Sequence, residues 1–310
     1  NVSKHMKIWL LTFNKNLHHE RFLDALYMDS NIRETQSNHI IELRNTTPND
    51  ADFGQQWQYT NTGQSGGTVG VDMEAALAWD VTTGGLTPLG DTIVVAVIDE
   101  GFDITHTDFG NNLWRNYNEI PNNGIDEDDN GYVDDYRGWY LTNNSDDHAP
   151  ASHGVGVSGI IGAKGNNNAG VTGVNWNVKV MLLTARFSEE IAAAYNYILE
   201  QRILYNTTNG AEGAFVVATN ASLGINNIDC ENDNGAAIVA WRTMYDLMGE
   251  AGIVSVGATS NDRGIDVDVM GDMPTSCESP YLITVTNNNF DEIRDSFRHR
   301  LCHNIQVLYR

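Results

Sequence analysis

Basic side chains are scarce in this chain: 18 Lys and Arg stand against 41 Asp and Glu, a formal charge of −23 at neutral pH. Nucleic acids and anionic membranes repel such a surface, so neither is expected as a partner. Cysteine is rarer still. Three residues, Cys230, Cys277 and Cys302, allow one intramolecular disulfide with a thiol left over, and none has the spacing of a zinc site. No apolar run approaches the roughly 20 residues needed to span a bilayer. The opening NVSKHMKIWLLTF has neither an initiator Met nor a signal-peptide pattern, so it reads as a fragment boundary from which export cannot be inferred. Repeats and low-complexity tracts are also missing. What is present is ordinary for a globular protein: 41% hydrophobic and 19% charged residues over 310 positions, enough for one large domain with an appendage.

Residues 1–48 read as a separate small α+β unit. KIWLLTF has the pattern of a strand, HHERFLDALYMDS that of a helix with Phe22, Leu23, Leu26 and Tyr27 on one face, and IRETQSNHIIEL that of a second strand. The polar joint RNTTPNDADF suits a linker or a processing site. From Asp72 onward helices and strands alternate. DMEAALAWD predicts a short helix with Asp72 as N-cap, and TIVVAVID, residues 92–99, a strand covered on both faces. After a loop rich in Asp, Asn and Gly, HGVGVSGIIGA opens a helix of small residues. The strands VKVMLLTA, FVVATNAS, IVSVGATS and YLITVT follow, with helices SEEIAAAYNYILEQRI and GAAIVAWRTMYDLMGEAG between the first three. This order predicts an α/β fold, a mostly parallel sheet wound with helices on both faces.

In such sheets ligands bind beyond the carboxyl ends of strands. Asp99 stands at that end of the first strand and His153 opens the glycine-rich helix, so the two could form the acid–base half of a serine-protease triad. A strand-end cap and a structural histidine are the plainer readings of the same two residues. Their surroundings decide for the triad. VVAVIDEGFDITHTDF resembles the aspartate motif of the subtilisin-like serine proteases, and SHGVGVSGIIGAKGNNNAGVTGVNWNVKVM resembles the histidine motif of that family. TNASLG resembles its substrate-binding strand, and GIVSVGATSND the segment that carries its oxyanion-hole asparagine. The resemblance spans about residues 48–290, four motifs in order. It implies a peptidase domain over 49–290 with catalytic Asp99 and His153, an Asn261 amide donating to the developing oxyanion, and backbone groups of Ser222, Leu223 and Gly224 pairing with an extended peptide. Peptide or protein substrates are the implied partners, and secretion or cell-surface display the implied location. An exported protease would meet an oxidising compartment, and Cys230 and Cys277, both in loops near the carboxyl ends of neighbouring segments, are the expected pair there; free thiols are the alternative.

Departures from the family pattern are visible too. Val155 and Gly156 replace the usual Thr and His after the His-Gly pair, and Glu100 replaces a small residue after the aspartate. Nothing after Asn261 resembles the serine motif, and residues 291–310 switch to a basic, His-containing tail that reads as aberrant. The chain as given is therefore expected not to hydrolyse peptides. The last part of the 1–48 unit, DSNIRETQSNHIIELR, resembles the end of the family's inhibitory propeptide, which makes it an intramolecular partner of the cleft.

GIDEDDNGYVDD places Asp126, Asp128, Asn130, the Tyr132 carbonyl and Asp134 at alternate positions around Gly131, a supply of hard oxygens suited to calcium. Arg137 stands where an EF-hand has its bidentate Glu, so the loop resembles instead the Asp-rich calcium loops of some subtilases. Three other readings compete: a calcium-stabilised peptide-binding pseudoprotease, an α/β-hydrolase with Ser65 in the Gly63-Gln64-Ser65-Gly66-Gly67 elbow pattern, and a metal hydrolase on His106, Asp108, His148 and His153. The elbow requires a strand before it and a helix after, and the sequence supplies neither.

Overall fold

The computed structural model describes residues 4–12, 19–35, 46–262, 266–288 and 307–308. It divides into two compact units, residues 1–44 and 45–310. In the first, α1 (His19–Tyr27) forms where the apolar spacing predicts it. Phe22, Leu23 and Leu26 are half-buried and Tyr27 is exposed. Residues 7–12 form no strand with a described partner, and Ile8, Trp9, Leu10 and Leu11 stand exposed. The second expected strand falls largely on residues 36–45, outside the described residues.

The larger unit opens with α2 (Ala75–Trp79). Asp72 does not cap it. Its Oδ1 accepts from the Glu74 amide and its Oδ2 from the Asn61 amide, a turn that closes at Glu74, so the N-cap position falls to Glu74, in the left-handed region at φ 50°. There follow β1 (Val94–Asp99), β2 (Trp139–Tyr140), α3 (Ser152–Gly162), β3 (Lys179–Thr184), α4 (Ser188–Thr207), β4 (Val216–Ala221), β5 (Ile225–Asn226), α5 (Ala236–Glu250), β6 (Val254–Ala258), α6 (Val267–Met270), β7 (Asp272–Met273) and β8 (Leu282–Val285).

Six strands make one sheet in the order β2-β3-β1-β4-β6-β8, all parallel. β1 is central, which is why its sequence is a run of β-branched residues rather than an alternation. Ala96 and Ile98 face a core with Met181, Leu183, Tyr195, Ile198, Trp241 and Tyr245, contributed largely by α4 and α5. Val97 faces the other way, onto Phe102, Leu113, Val157, Val180 and Leu182, beneath α3. The helices therefore cover both faces, and every parallel strand delivers its carboxyl end to the same edge.

Candidate active site

At that edge β1 ends in Asp99, in register with Thr184 of β3. The carboxylate is only 1% exposed. Both of its oxygens lie 2.9 Å from His153 Nδ1, and Oδ1 also accepts from the Glu100 amide at 2.8 Å. Burial pushes the Asp99 carboxyl up from its ordinary value, against the pull of the His153 and Glu100 hydrogen bonds, and the Glu100 charge adds to the push. The contact orients the imidazole with Nδ1 toward the carboxylate, so Nε2 is the nitrogen left to serve as a base. The side chain of His153 is 49% exposed, and no described hydroxyl or thiol is bonded to Nε2.

Two features hold this pair. Gly154, in the first turn of α3, lies so close to the aspartate loop that a Cβ there would stand 2.2 Å from the Gly101 carbonyl oxygen and 2.9 Å from the Phe102 ring. Glycine is what lets α3 bring His153 down to Asp99. Behind Asp99, His148 is buried, with Nε2 3.1 Å from the Arg137 carbonyl oxygen and Nδ1 2.7 Å from Thr184 Oγ1. A carbonyl oxygen only accepts, so Nε2 carries the proton and Nδ1 accepts from the Thr184 hydroxyl. Desolvation lowers the His148 pKa to about 4.

Past the end of β4, the amides of Ser222, Leu223 and Gly224 make no backbone hydrogen bond among the described residues. The Ser222 hydroxyl accepts from Asn220 Nδ2 at 2.9 Å. Gly224 passes so near β7 that a Cβ would be 2.4 Å from the Met273 carbonyl oxygen. Two cavities, of about 390 and 540 Å³, meet along this segment and share His153, Ser222, Leu223 and Gly224. Asn261 borders the first, Glu100 and Arg186 the second. β5 and β7 pair antiparallel as one wall, and the disulfide joining Cys230 and Cys277 ties the loops that follow them. Asp99, His153, the Ser222–Gly224 segment and Asn261 are thus brought to one cleft.

Ser65 is not part of it. It borders a separate cavity with His106 and Asp108, on a turn with neither strand before nor helix after, so no nucleophile elbow forms. The metal-hydrolase set is also split, since the ring nitrogens of His148 are taken up by Thr184 and Arg137.

The acidic loop is folded differently from a simple alternation of ligands. Asp126 turns its oxygens onto the Asn130 and Gly131 amides, Asp134 onto those of Asn123 and Gly124, and Asn130 Oδ1 onto the Tyr132 amide. The Asn130 side-chain amide donates to Asp135. The carboxylates that converge are Glu119, Asp128 and Asp135, with ligand atoms within 4.8 Å of one another. Asp128 Oδ1 is buried there with no partner, and Asn116 Nδ2 lies between Asp128 Oδ2 and Asp135 Oδ1. Burial pushes all three carboxyls up, Asp135 to about 6. Neither Glu119 nor Asp135 is flagged by alternate spacing, because they flank the loop rather than lie on its curl. A second acidic pair was also not legible: Asp50 and Asp108, 58 positions apart, are both buried, and Asp50 Oδ1 has no partner. Asn166 to Val171 wrap them, with the Asn166 amide on Asp50, and the Asn167 side chain and the Val171 amide on Asp108.

The parallel sheet thus carries a buried aspartate and a helix-start histidine, bonded to each other, at its carboxyl edge. Comparison with known proteins gives the family: residues 90–300 match the Subtilase family model, and the chain belongs to that family of serine peptidases. A curated relative is Subtilisin-like protease 1 of Plasmodium berghei, 37% identical over 132 residues, covering 39% of this chain and 21% of that protein. An Extracellular protease of Xanthomonas campestris is 31% identical over 169 residues, covering 52% of this chain and 27% of that protein. The aligned regions thus span about a fifth to a quarter of these relatives' length. Among solved structures, a protease of Pseudoalteromonas arctica aligns over 82% of this chain and 70% of its own at a TM-score of 0.53 and 22% identity, a likeness of fold. Among the described residues no helix is long and apolar enough to cross a membrane.

Proposed function

We propose that this chain carries the Asp–His and peptide-binding parts of a secreted or cell-surface endopeptidase that works by a Ser-His-Asp mechanism. The observation that carries the reading is the bonding of the buried Asp99 to His153 Nδ1 at the head of a cleft whose Ser222–Gly224 amides have no backbone partner among the described residues. An extended peptide would complete those amides as an added strand. Asn261, on the same cavity as His153, would then donate to the carbonyl oxygen as charge develops on it. His153 Nε2 would take the proton of an attacking hydroxyl. Because no stretch after Asn261 resembles the family's serine motif, the 310-residue chain alone is expected to bind peptides and not to turn them over. Loss of a subtilase nucleophile costs about 10⁶ in turnover, a magnitude known from a member of this same family rather than one worked out from this structure.

Calcium would find oxygen donors at two places. Glu119, Asp128 and Asp135 present converging hard oxygens, and Asp50 and Asp108 are a second buried acidic pair; Asp128 Oδ1 and Asp50 Oδ1 have no partner among the described residues. At Glu119, Asp128 and Asp135 the ion would neutralise like charges that burial otherwise drives toward protonation. Residues 1–48 would serve as the rear of an inhibitory propeptide, cut between about residues 44 and 52 in an active precursor, a point that intact mass analysis decides.

The test of the main reading is peptide hydrolysis and labelling by an active-site-directed phosphonate, measured on the purified 310-residue chain. Peptide binding without label or turnover is expected. Robust turnover abolished by Ser65→Ala would replace this reading with a hydrolase built on Ser65.

A further inference from the structure

Carboxylates border both halves of the cleft. Glu100, next to Asp99, lies on the cavity of about 540 Å³ together with His153, Ile191, Leu223 and Trp241. Its exposed side chain makes no hydrogen bond or ion pair among the described residues. Its charge is nevertheless felt by its neighbour, because it pushes the Asp99 carboxyl up. On the adjoining cavity, Asp262 is exposed, with the Asn226 side-chain amide at 2.7 Å. Asp272 is buried on the same cavity and accepts from the Ser260 amide at 3.0 Å and from the Thr275 hydroxyl.

Arg186 is the one Lys or Arg among the described residues lining the two cavities. Its Nε and Nη2 both donate to the Glu100 carbonyl oxygen at 3.2 Å, so the guanidinium sits on the Glu100 backbone and forms no ion pair with its carboxylate among the described residues. The Glu100 carboxylate itself is left to solvent beside an apolar floor of Ile191, Leu223 and Trp241. A long cationic side chain matches that combination: its aliphatic stem packs on the floor while its head reaches the carboxylate. A chain of formal charge −23 also raises the local concentration of cationic ligands.

We propose that Glu100 is a specificity residue of this cleft, selecting peptides that place a Lys or Arg side chain in the cavity between Glu100 and Leu223. The inference rests on the peptide-binding reading above and names the substrate class of that site.

Fluorescence anisotropy on the 310-residue chain tests it, with extended peptides that differ at one scanned position: Lys, norleucine or Glu. At one position Lys is expected to bind about threefold to tenfold tighter than norleucine, with a preference that shrinks as salt rises. The preference should vanish in Glu100→Gln and turn toward Glu in Glu100→Lys, both checked for folding by circular dichroism. An unchanged Lys preference in Glu100→Gln overturns the proposal. So does a preference for the Glu peptide that is lost in Arg186→Gln. Equal binding of all three peptides removes this inference alone, whereas binding by none removes the peptide-cleft reading and this inference with it.

Discussion

Acidification should destabilise this protein through His148. The residue is 5% exposed, and its pKa is lowered to about 4 chiefly by desolvation. An unfolded chain holds a histidine near 6.5. Between those two values the unfolded state binds the proton that the folded state refuses, so stability is fully present above about pH 6.5 and declines as pH falls. The slope is about 1.4 kcal/mol per pH unit, which amounts to about 2 kcal/mol lost by pH 5 and about 3 kcal/mol below pH 4. The physical origin is the neutral tautomer fixed by Arg137 and Thr184: a second proton would land on the nitrogen that accepts from the Thr184 hydroxyl. Urea unfolding at pH 7, 6 and 5, for the wild type and for His148→Gln, isolates the effect because all other titrating groups are shared. The variant should be less stable at pH 7 and lose about 2 kcal/mol less between pH 7 and 5. Parallel pH profiles for the two proteins would refute the assignment.

Reduction of Cys230–Cys277, which closes a loop with a sequence separation of 47, should lower unfolding stability by about 3–4 kcal/mol; equal thiol counts under denaturation with and without reductant would show the bridge absent in solution. Gly154→Ala should cost about 1–3 kcal/mol in chemical denaturation, because its methyl has to push α3 off the Gly101 carbonyl and the Phe102 ring. Calorimetric titration should show calcium binding that weakens in Asp128→Ala, with a matching loss of calcium-dependent thermal stability; identical negligible heats for both proteins would dismiss the site at Glu119, Asp128 and Asp135.

Much of the fold was legible because it is written in local patterns. The unbroken apolar run before Asp99 belongs to a strand covered on both faces, and the two long helices appear at their predicted positions. Asp99 and His153 could be paired from sequence because each sits at the end of a regular element that points to one edge of the sheet. What was not legible depends on long-range approach. Glu119 meets Asp128 and Asp135 only because the loop folds back across them, and residues 166–171 bond both Asp50 and Asp108, which stand 58 positions apart. Alternate spacing suggested that Asp126 and Asp134 turn toward an ion, whereas backbone amides within the loop take their oxygens. Asp72 fell short of the cap position because the turn it closes ends before the helix begins. His148 lacks the motif that surrounds His153, and its buried, neutral role between Thr184 and Arg137 follows only from the fold.

Hydrogen exchange of the 310-residue chain with and without an excess of extended, lysine-containing peptide tests the central claim most directly. Peptide should slow exchange at the amides of Ser222, Leu223 and Gly224, which have no backbone partner among the described residues of the free protein, and leave the turn around Ser65 unchanged. Protection centred on Ser65, with Ser222–Gly224 exchanging as before, would contradict the placement of the peptide site beside Asp99 and His153.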